Sequence, residues 1–215
     1  DANDGPPQAS AEEIAYLCEA SSRYTSRAVA PADVVNTWSG VRALYDDGQA
    51  NPSAVTRDYR LLVDASGPPV LSVFGGKITT HRKLAEHALE KIAPFFSEMK
   101  AAWTDQEPLP GGAMRREDVP TLIAELMAAQ PALDALAARD LARRHGTLAQ
   151  DIVRSGLGER LAPGLYEAEV RYLVKHEWAR TAGDVLWRRT KVGLVATLAE
   201  QARVAAVVAT LTPTE

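Results

Sequence analysis

Apolar and polar positions follow two rhythms along this chain, and the change between them marks its organisation. Ser10-Ala-Glu-Glu13 has the form of a capping box, in which a hydroxyl and a carboxylate satisfy the free N–H groups of a helix start. It predicts a helix over 11–25, with Ile14, Leu17, Cys18 and Tyr24 toward one side. Pro31 and the β-branched run from Val34 change the pattern. They predict strands near 33–44 and 54–63, joined by the turn residues Asp46-Asp47-Gly48 and Asn51-Pro52. After a turn at Gly67-Pro68-Pro69, the apolar run Val70 to Phe74 has strand length and predicts burial on both faces. Gly75-Gly76 ends it. Ile78, Ala85, Ala88, Leu89 and Ile92 then fall at helical spacing over 77–93, with Arg82, Lys83, Glu86 and Glu90 facing elsewhere and Pro94 as the stop.

Residues 104–114 hold two prolines and two glycines and predict a domain linker. The chain therefore divides into 1–99, a connection over 100–114, and 115–215, where the pattern is helical throughout and no strand is expected. Asp118 caps a predicted helix over 119–129, and Pro131 opens another that ends at Gly146. Thr147 to Gln150 reads as a capping box for a short helix stopped by Gly156 and Gly158. Further helices are predicted over 165–180, 182–196 and 198–211, the last opened by Thr197 to Glu200. Leu122, Leu126, Leu133, Leu136, Leu141, Val170, Leu173, Val174, Trp178, Leu186, Leu194 and Leu198 are the candidate core. The fold class is α+β, mainly α.

Composition narrows the function classes. With 46% apolar and 24% charged residues in 215, the chain has the balance of a folded globular protein. The best apolar run, Val192 to Ala199, stops at Glu200, far short of a membrane span. Cys18 is the sole cysteine, which excludes an intrachain disulfide and fits a reducing compartment. Residues 1–99 carry 9 Lys/Arg against 13 Asp/Glu and the remainder 15 of each, so no basic surplus points to nucleic acid. The local basic cluster from Arg171 to Lys191 reads as a solvated helix face. The start at Asp1, without a Met or a signal-like segment, suggests a piece of something longer.

The chemistry concentrates at strand, Gly75-Gly76, helix. The first turn of a helix has unpaired N–H groups and a partial positive charge, glycines admit close approach, and Lys77 adds a full charge. Such a turn suits an anion or a carbonyl gaining negative charge, or it is a glycine turn beside an exposed lysine. It is not a nucleoside-triphosphate loop, because Leu71 and Ile78 stand where that loop needs Gly and Ser/Thr. Arg42 and Arg57 sit in two strand-like segments joined by a turn. They could converge on a phosphate or carboxylate, or pair with Asp47 and Asp58 at the surface. His81 and His87 do not match a metal pair, and His145 and His176 are isolated, so each histidine reads as solvent-exposed or satisfied in the core.

The block Leu71-Ser-Val-Phe-Gly-Gly-Lys-Ile-Thr-Thr-His-Arg-Lys-Leu-Ala-Glu-His-Ala-Leu89 closely resembles the FAD-dependent (aerobic) glycerol-3-phosphate dehydrogenases. The resemblance extends to Thr37-Trp-Ser-Gly-Val-Arg42, Thr56-Arg-Asp-Tyr59, Pro108, Gly111-Gly112, Leu165 to Tyr172, His176 to Ala179 and Asp184 to Lys191. It implies that residues 1–99 are the end of a substrate-binding and FAD-domain sheet, and that 115–215 form an all-helical C-terminal cap domain. The family's dinucleotide loop is absent, so the chain resembles the C-terminal part of the enzyme, and no catalytic residue can be named in it.

By the same resemblance, Gly75, Gly76, Lys77, Ile78 and Thr79 would lie against the flavin of FAD, and Arg42 and Arg57 would bind the substrate phosphate. The implied reaction is oxidation of sn-glycerol 3-phosphate to dihydroxyacetone phosphate. Electrons would pass to quinone, in a cytoplasmic enzyme peripheral to the inner membrane and compatible with a homodimer. An oxidase of the same family, passing electrons to oxygen, is the nearest alternative, and a non-catalytic helical interaction module is the third. Ala43 stands where the family usually has Pro, His81 where it has Tyr, Asn36 where it has an aromatic and Trp38 where Tyr is common. The isolated fragment is expected to hold no FAD and to be inactive.

Overall fold

Residues 7–40, 45 and 58–212 are described by a computed structural model, in which the chain divides between Glu107 and Pro108 into two units. The first opens with helix α1, Ala11–Ser22, at the expected capping box: Glu13 N–H donates to Ser10 Oγ (3.2 Å) and Ser10 N–H to the Glu13 carboxylate (2.8 Å). The helix stops three residues before the predicted end. Ser22 Oγ donates to the Cys18 carbonyl (2.7 Å) and accepts from Val29 N–H (2.8 Å), which folds the chain back. Cys18 is buried, whereas Leu17 and Tyr24 are exposed.

The predicted strand over 33–44 does not form across 33–40, and 41–44 lie outside the described residues. Pro31–Asp33 is instead a 3-10 turn whose Asp33 carboxylate accepts from Ala30 N–H (2.9 Å). Of the strand predicted over 54–63, residues 54–57 lie outside the described residues and 58–59 are not strand; what forms is β1, Arg60–Asp64, antiparallel to β2, Val70–Phe74, in a register from Arg60 opposite Phe74 to Asp64 opposite Val70. At the turn Asp64 accepts from the backbone N–H and hydroxyl of Ser66, which holds its carboxyl below the ordinary value. β2 is not buried on both faces. Val70, Val73 and Phe74 remain exposed, because this sheet has two strands and helix α2, His81–Ile92, packs against them.

In the second unit α3 (Val119–Ala129) occupies the predicted span. Asp118 does not cap it; its carboxylate accepts from Arg115 N–H (2.9 Å), one turn earlier. α4 (Ala135–His145) starts after Pro131, at Asp134, whose side chain accepts from Ala137 N–H (2.9 Å). A 3-10 turn at Gly146–Leu148 leads to α5 (Ala149–Arg154), and the predicted Thr147 box does not form because Leu148 holds the cap position. Leu122, Leu126, Leu133, Leu141, Ile152 and Val153 fill the core between these helices.

Two short strands, β3 (Arg160–Ala162) and β4 (Leu165–Tyr166), correct the all-helical expectation. Pro163-Gly164 makes the turn, with Gly164 at φ 67°, and the buried Leu161 and Leu165 flank it. α6 covers Glu167–His176 only. The predicted helix over 182–196 is a π turn at Asp184–Arg189 and a 3-10 turn at Val192–Leu194, with Lys191 left-handed between them (φ 61°). α7 (Leu198–Leu211) matches its span and its capping box, Glu200 N–H donating to Thr197 Oγ1 (3.3 Å). A second core joins Leu161, Leu165, Val170, Leu173, Val204 and Val208. Leu136, Trp178, Leu194 and Leu198 are exposed, against expectation: Trp178 falls beyond the end of α6, Leu194 lies in the 3-10 turn, and Leu136 and Leu198 stand in the first turns of α4 and α7. Among the described residues no helix is long and apolar enough to cross a membrane.

Candidate functional site

The hairpin β1–β2 delivers the chain into the glycine turn. Gly75 and Gly76 have φ of 69° and 95°, a left-handed backbone that residues with a Cβ rarely adopt. A Cβ on Gly76 would also lie 3.0 Å from Leu84 Cδ1 and 3.4 Å from Tyr59 Cβ, so glycine lets the turn sit tightly on α2 and on the residue before β1. Lys77 follows in extended conformation, and Ile78–Thr80 form one 3-10 turn before α2. Thr80 N–H and hydroxyl both donate to the Lys77 carbonyl (3.0 and 2.9 Å), and His81 Nδ1–H to that of Ile78 (2.8 Å).

Those bonds occupy carbonyls and leave the outer side of the turn open. Gly76, Lys77, Ile78 and Thr79 are exposed, and Ile78 is 85% so. An apolar side chain, an ammonium group and close backbone thus stand on one accessible turn. These residues fit a planar, partly apolar ring that carries a carbonyl or gains negative charge. The five expected positions Gly75 to Thr79 are brought together here. Arg42 and Arg57 lie outside the described residues.

Neighbouring side chains hold α2 in place. The Tyr59 hydroxyl and His87 Nδ1 share a 2.5 Å hydrogen bond, their ring centroids 5.8 Å apart. Glu86, expected on the outer face, is buried. Its carboxylate accepts from Lys83 (2.8 Å), Thr104 (2.6 Å) and Arg82 (2.6 Å). The hydrogen bonds from Lys83 and Thr104, with the charges of Arg82 and Lys83, outweigh desolvation and lower its pKa to about 2. Trp38 lies in an apolar groove of about 400 Å³ beside α1, with Ile14, Leu17, Val29 and Val34.

The second unit contains a buried polar cluster. Glu169 on α6, 1% exposed, accepts from Arg144 Nε and a terminal nitrogen (2.7 Å each) and from His145 Nε2–H (2.8 Å). Burial pushes this carboxyl up; the His145 hydrogen bond and the Arg144 charge and hydrogen bonds prevail and leave it lowered. Arg144 also donates to the Gly164 carbonyl (2.9 Å), which ties α4 to the β3–β4 turn. Among the described residues His145 Nδ1 is buried without a hydrogen-bond partner, 3.6 Å from Glu177. In the basic cluster, Arg188 pairs with Asp184 (2.9 Å) and Arg171 with Glu167. Backbone donors at Arg180 and Thr181 bring Asp184 to about 2. Tyr59, Arg144 and Glu169 carry these arrangements and were not singled out by pattern; Tyr59 and Glu169 lay inside the motif blocks, and Arg144 had no local signal.

The chain is 45% identical over 201 residues to a glycerol-3-phosphate dehydrogenase of Pseudomonas aeruginosa, covering 90% of this chain and 39% of the relative. It is 45% identical over 201 residues to the aerobic glycerol-3-phosphate dehydrogenase of Escherichia coli K12, covering 89% and 40%. To the D-erythritol 1-phosphate dehydrogenase of Brucella abortus it is 44% identical over 197 residues, covering 89% and 39%. The chain thus spans about two fifths of the length of these curated relatives. Residues 102–214 match the C-terminal domain of alpha-glycerophosphate oxidase, and with more than half of its length in that match the chain belongs to this family.

Proposed function

We propose that the chain is the C-terminal part of a flavoenzyme that oxidises sn-glycerol 3-phosphate to dihydroxyacetone phosphate. Its strongest support is the 45% identity to dehydrogenases of that name over an alignment covering 90% of the chain, joined to the open Gly75–Thr79 turn. Those five residues would hold the flavin of FAD, which accepts the hydride equivalent when bound. Arg42 and Arg57 would bind the substrate phosphate by charge-assisted hydrogen bonds. Lys77 and the amides of the turn would stabilise negative charge on the reduced ring. The domains are 1–99, completing the substrate and FAD region, a linker over 100–114, and 115–215 as the cap. Quinone is the proposed acceptor, at the cytoplasmic face of a membrane touched peripherally, with a homodimer as the assembly.

The Brucella abortus relative, named for D-erythritol 1-phosphate at 44% identity, favours a second substrate reading within the same chemistry: a four-carbon polyol phosphate. One experiment separates the readings. Full-length flavoprotein is reduced anaerobically with sn-glycerol 3-phosphate, with D-erythritol 1-phosphate and with glycerol, and reoxidised with a short-chain quinone or with oxygen. Fast bleaching by sn-glycerol 3-phosphate and fast reoxidation by quinone are expected. A flavin that only the four-carbon substrate reduces selects the second reading, and oxygen as the faster oxidant selects an oxidase. The 215-residue chain alone is expected to purify without flavin colour and without activity, because ring contacts without the dinucleotide site cannot offset the entropy of binding.

A further inference from the structure

We propose that the hydrogen bond between Tyr59 and His87 is a positioning brace for the flavin-facing turn, an inference that rests on the function proposed above. Tyr59 directly precedes β1, whose first residue Arg60 pairs with Phe74, the last residue of β2. One step beyond that pair the ladder ends and the left-handed Gly75-Gly76 turn begins. Backbone pairing therefore stops where the turn most needs support.

Tyr59 supplies it from the side. Its Cβ lies 3.4 Å from where a Cβ on Gly76 would stand, so the side chain leaves the backbone in contact with the turn. The hydroxyl then reaches Nδ1 of His87 (2.5 Å), one helical turn beyond Leu84, the residue that closes on Gly76 from the helix side. Leu84 and His87 are three apart and so share a helix face. The turn is clasped between a tyrosine stem and a leucine, and the hydrogen bond fixes the distance between them.

Other polar groups early in α2 are committed elsewhere. Arg82 and Lys83 are turned to Glu86 and Thr104, and His81 to the Ile78 carbonyl. Loss of the Tyr59 hydroxyl would remove the side-chain hydrogen bond that ties Tyr59, beside the turn, to α2. Tyr59 and His87 are positioning residues here; neither is assigned a proton transfer.

The test uses full-length flavoprotein with Tyr59→Phe, His87→Leu, the double variant and the conservative His87→Asn, whose amide can stand near the lost Nδ1. Readouts are the flavin midpoint potential, the rate of flavin reduction, and KM for sn-glycerol 3-phosphate. Tyr59→Phe and His87→Leu are each expected to slow reduction roughly two- to tenfold, the weight of one net hydrogen bond, and to shift the midpoint, with KM changed less than kcat. The double variant should be no slower than either single one, and His87→Asn should recover most of the rate. Unchanged midpoint and rate in both single variants, or additive losses in the double, overturn the brace. A wild-type flavin that no polyol phosphate reduces overturns the functional reading and the brace with it, so the two failures are distinct.

Discussion

Replacing Glu169 by glutamine removes one charge from the middle of the second unit and leaves its size unchanged. Three hydrogen bonds of 2.7–2.8 Å converge on a carboxylate that is 1% exposed. Their gross strength is largely offset by the cost of drying the carboxylate and the Arg144 guanidinium. Removing one partner forfeits the attraction while the desolvation of Arg144 remains, a loss of about 3–5 kcal/mol for a buried pair. That is a large share of the net stability of about 5–15 kcal/mol typical of a domain. The assay is urea unfolding of the 215-residue chain, with amide hydrogen exchange to assign the transition to α4 and α6. Arg144→Met with Glu169→Leu, which removes both charges, should restore most of the loss. The pH dependence has a definite sign. The folded Glu169 carboxyl lies below its ordinary value of 4.5, so its stabilisation is complete above that pH and is lost as pH falls through the folded value. A Glu169→Gln loss under about 1 kcal/mol, or a double variant as unstable as the single, refutes the cluster as a structural clamp.

Gly146→Ala should destabilise the second unit by about 2–4 kcal/mol, because the position is left-handed (φ 55°) and its Cβ would meet the Gly111 carbonyl oxygen; thermal unfolding reads it. Thr197→Ala should cost about 0.5–2 kcal/mol, since the hydroxyl caps α7, with early amide exchange confined to the first turn of that helix. In the full-length flavoprotein Lys77→Met should lower the flavin midpoint potential and slow reduction with the fold intact, because one positive charge leaves the open turn. An unchanged midpoint at full flavin occupancy would move Lys77 off the ring.

Legibility in the sequence followed locality. β2, α3 and α7 match their predicted spans because strand length in β2, apolar spacing in α3 and the capping box in α7 are each set within a few residues. β3 and β4 were missed because each is too short to show alternation, and only the packing of Leu161 and Leu165 against α6 and α7 makes them strands. The helix expected over 182–196 is broken: Asp184–Arg189 winds as a π turn, closed by Thr190 N–H on the Val185 carbonyl five residues back (3.1 Å), and the left-handed Lys191 ends the run. At the candidate site Gly75-Gly76-Lys77 announced itself through residue type alone. Tyr59 and His87 are 28 positions apart, and no period or local motif joins them. Glu86 was misplaced because helical spacing put it outward, whereas Thr104, 18 residues away, covers it.

Where the second unit begins, two stretches of backbone cross at Gly111 and Gly146. Thr147 N–H donates to the Gly111 carbonyl (3.0 Å), and a Cβ on either glycine would strike the other strand's carbonyl. In evolutionary terms this makes a paired lock. A substitution at one glycine cannot be accommodated by shrinking the other, which is already without a side chain. Divergence at either position therefore has no compensating neighbour. A lineage that retained the crossing would retain both glycines together, while one that lost it would have to rebuild the approach to α3 as a single event. The crossing is a point where this fold can be kept or abandoned but not gradually remodelled.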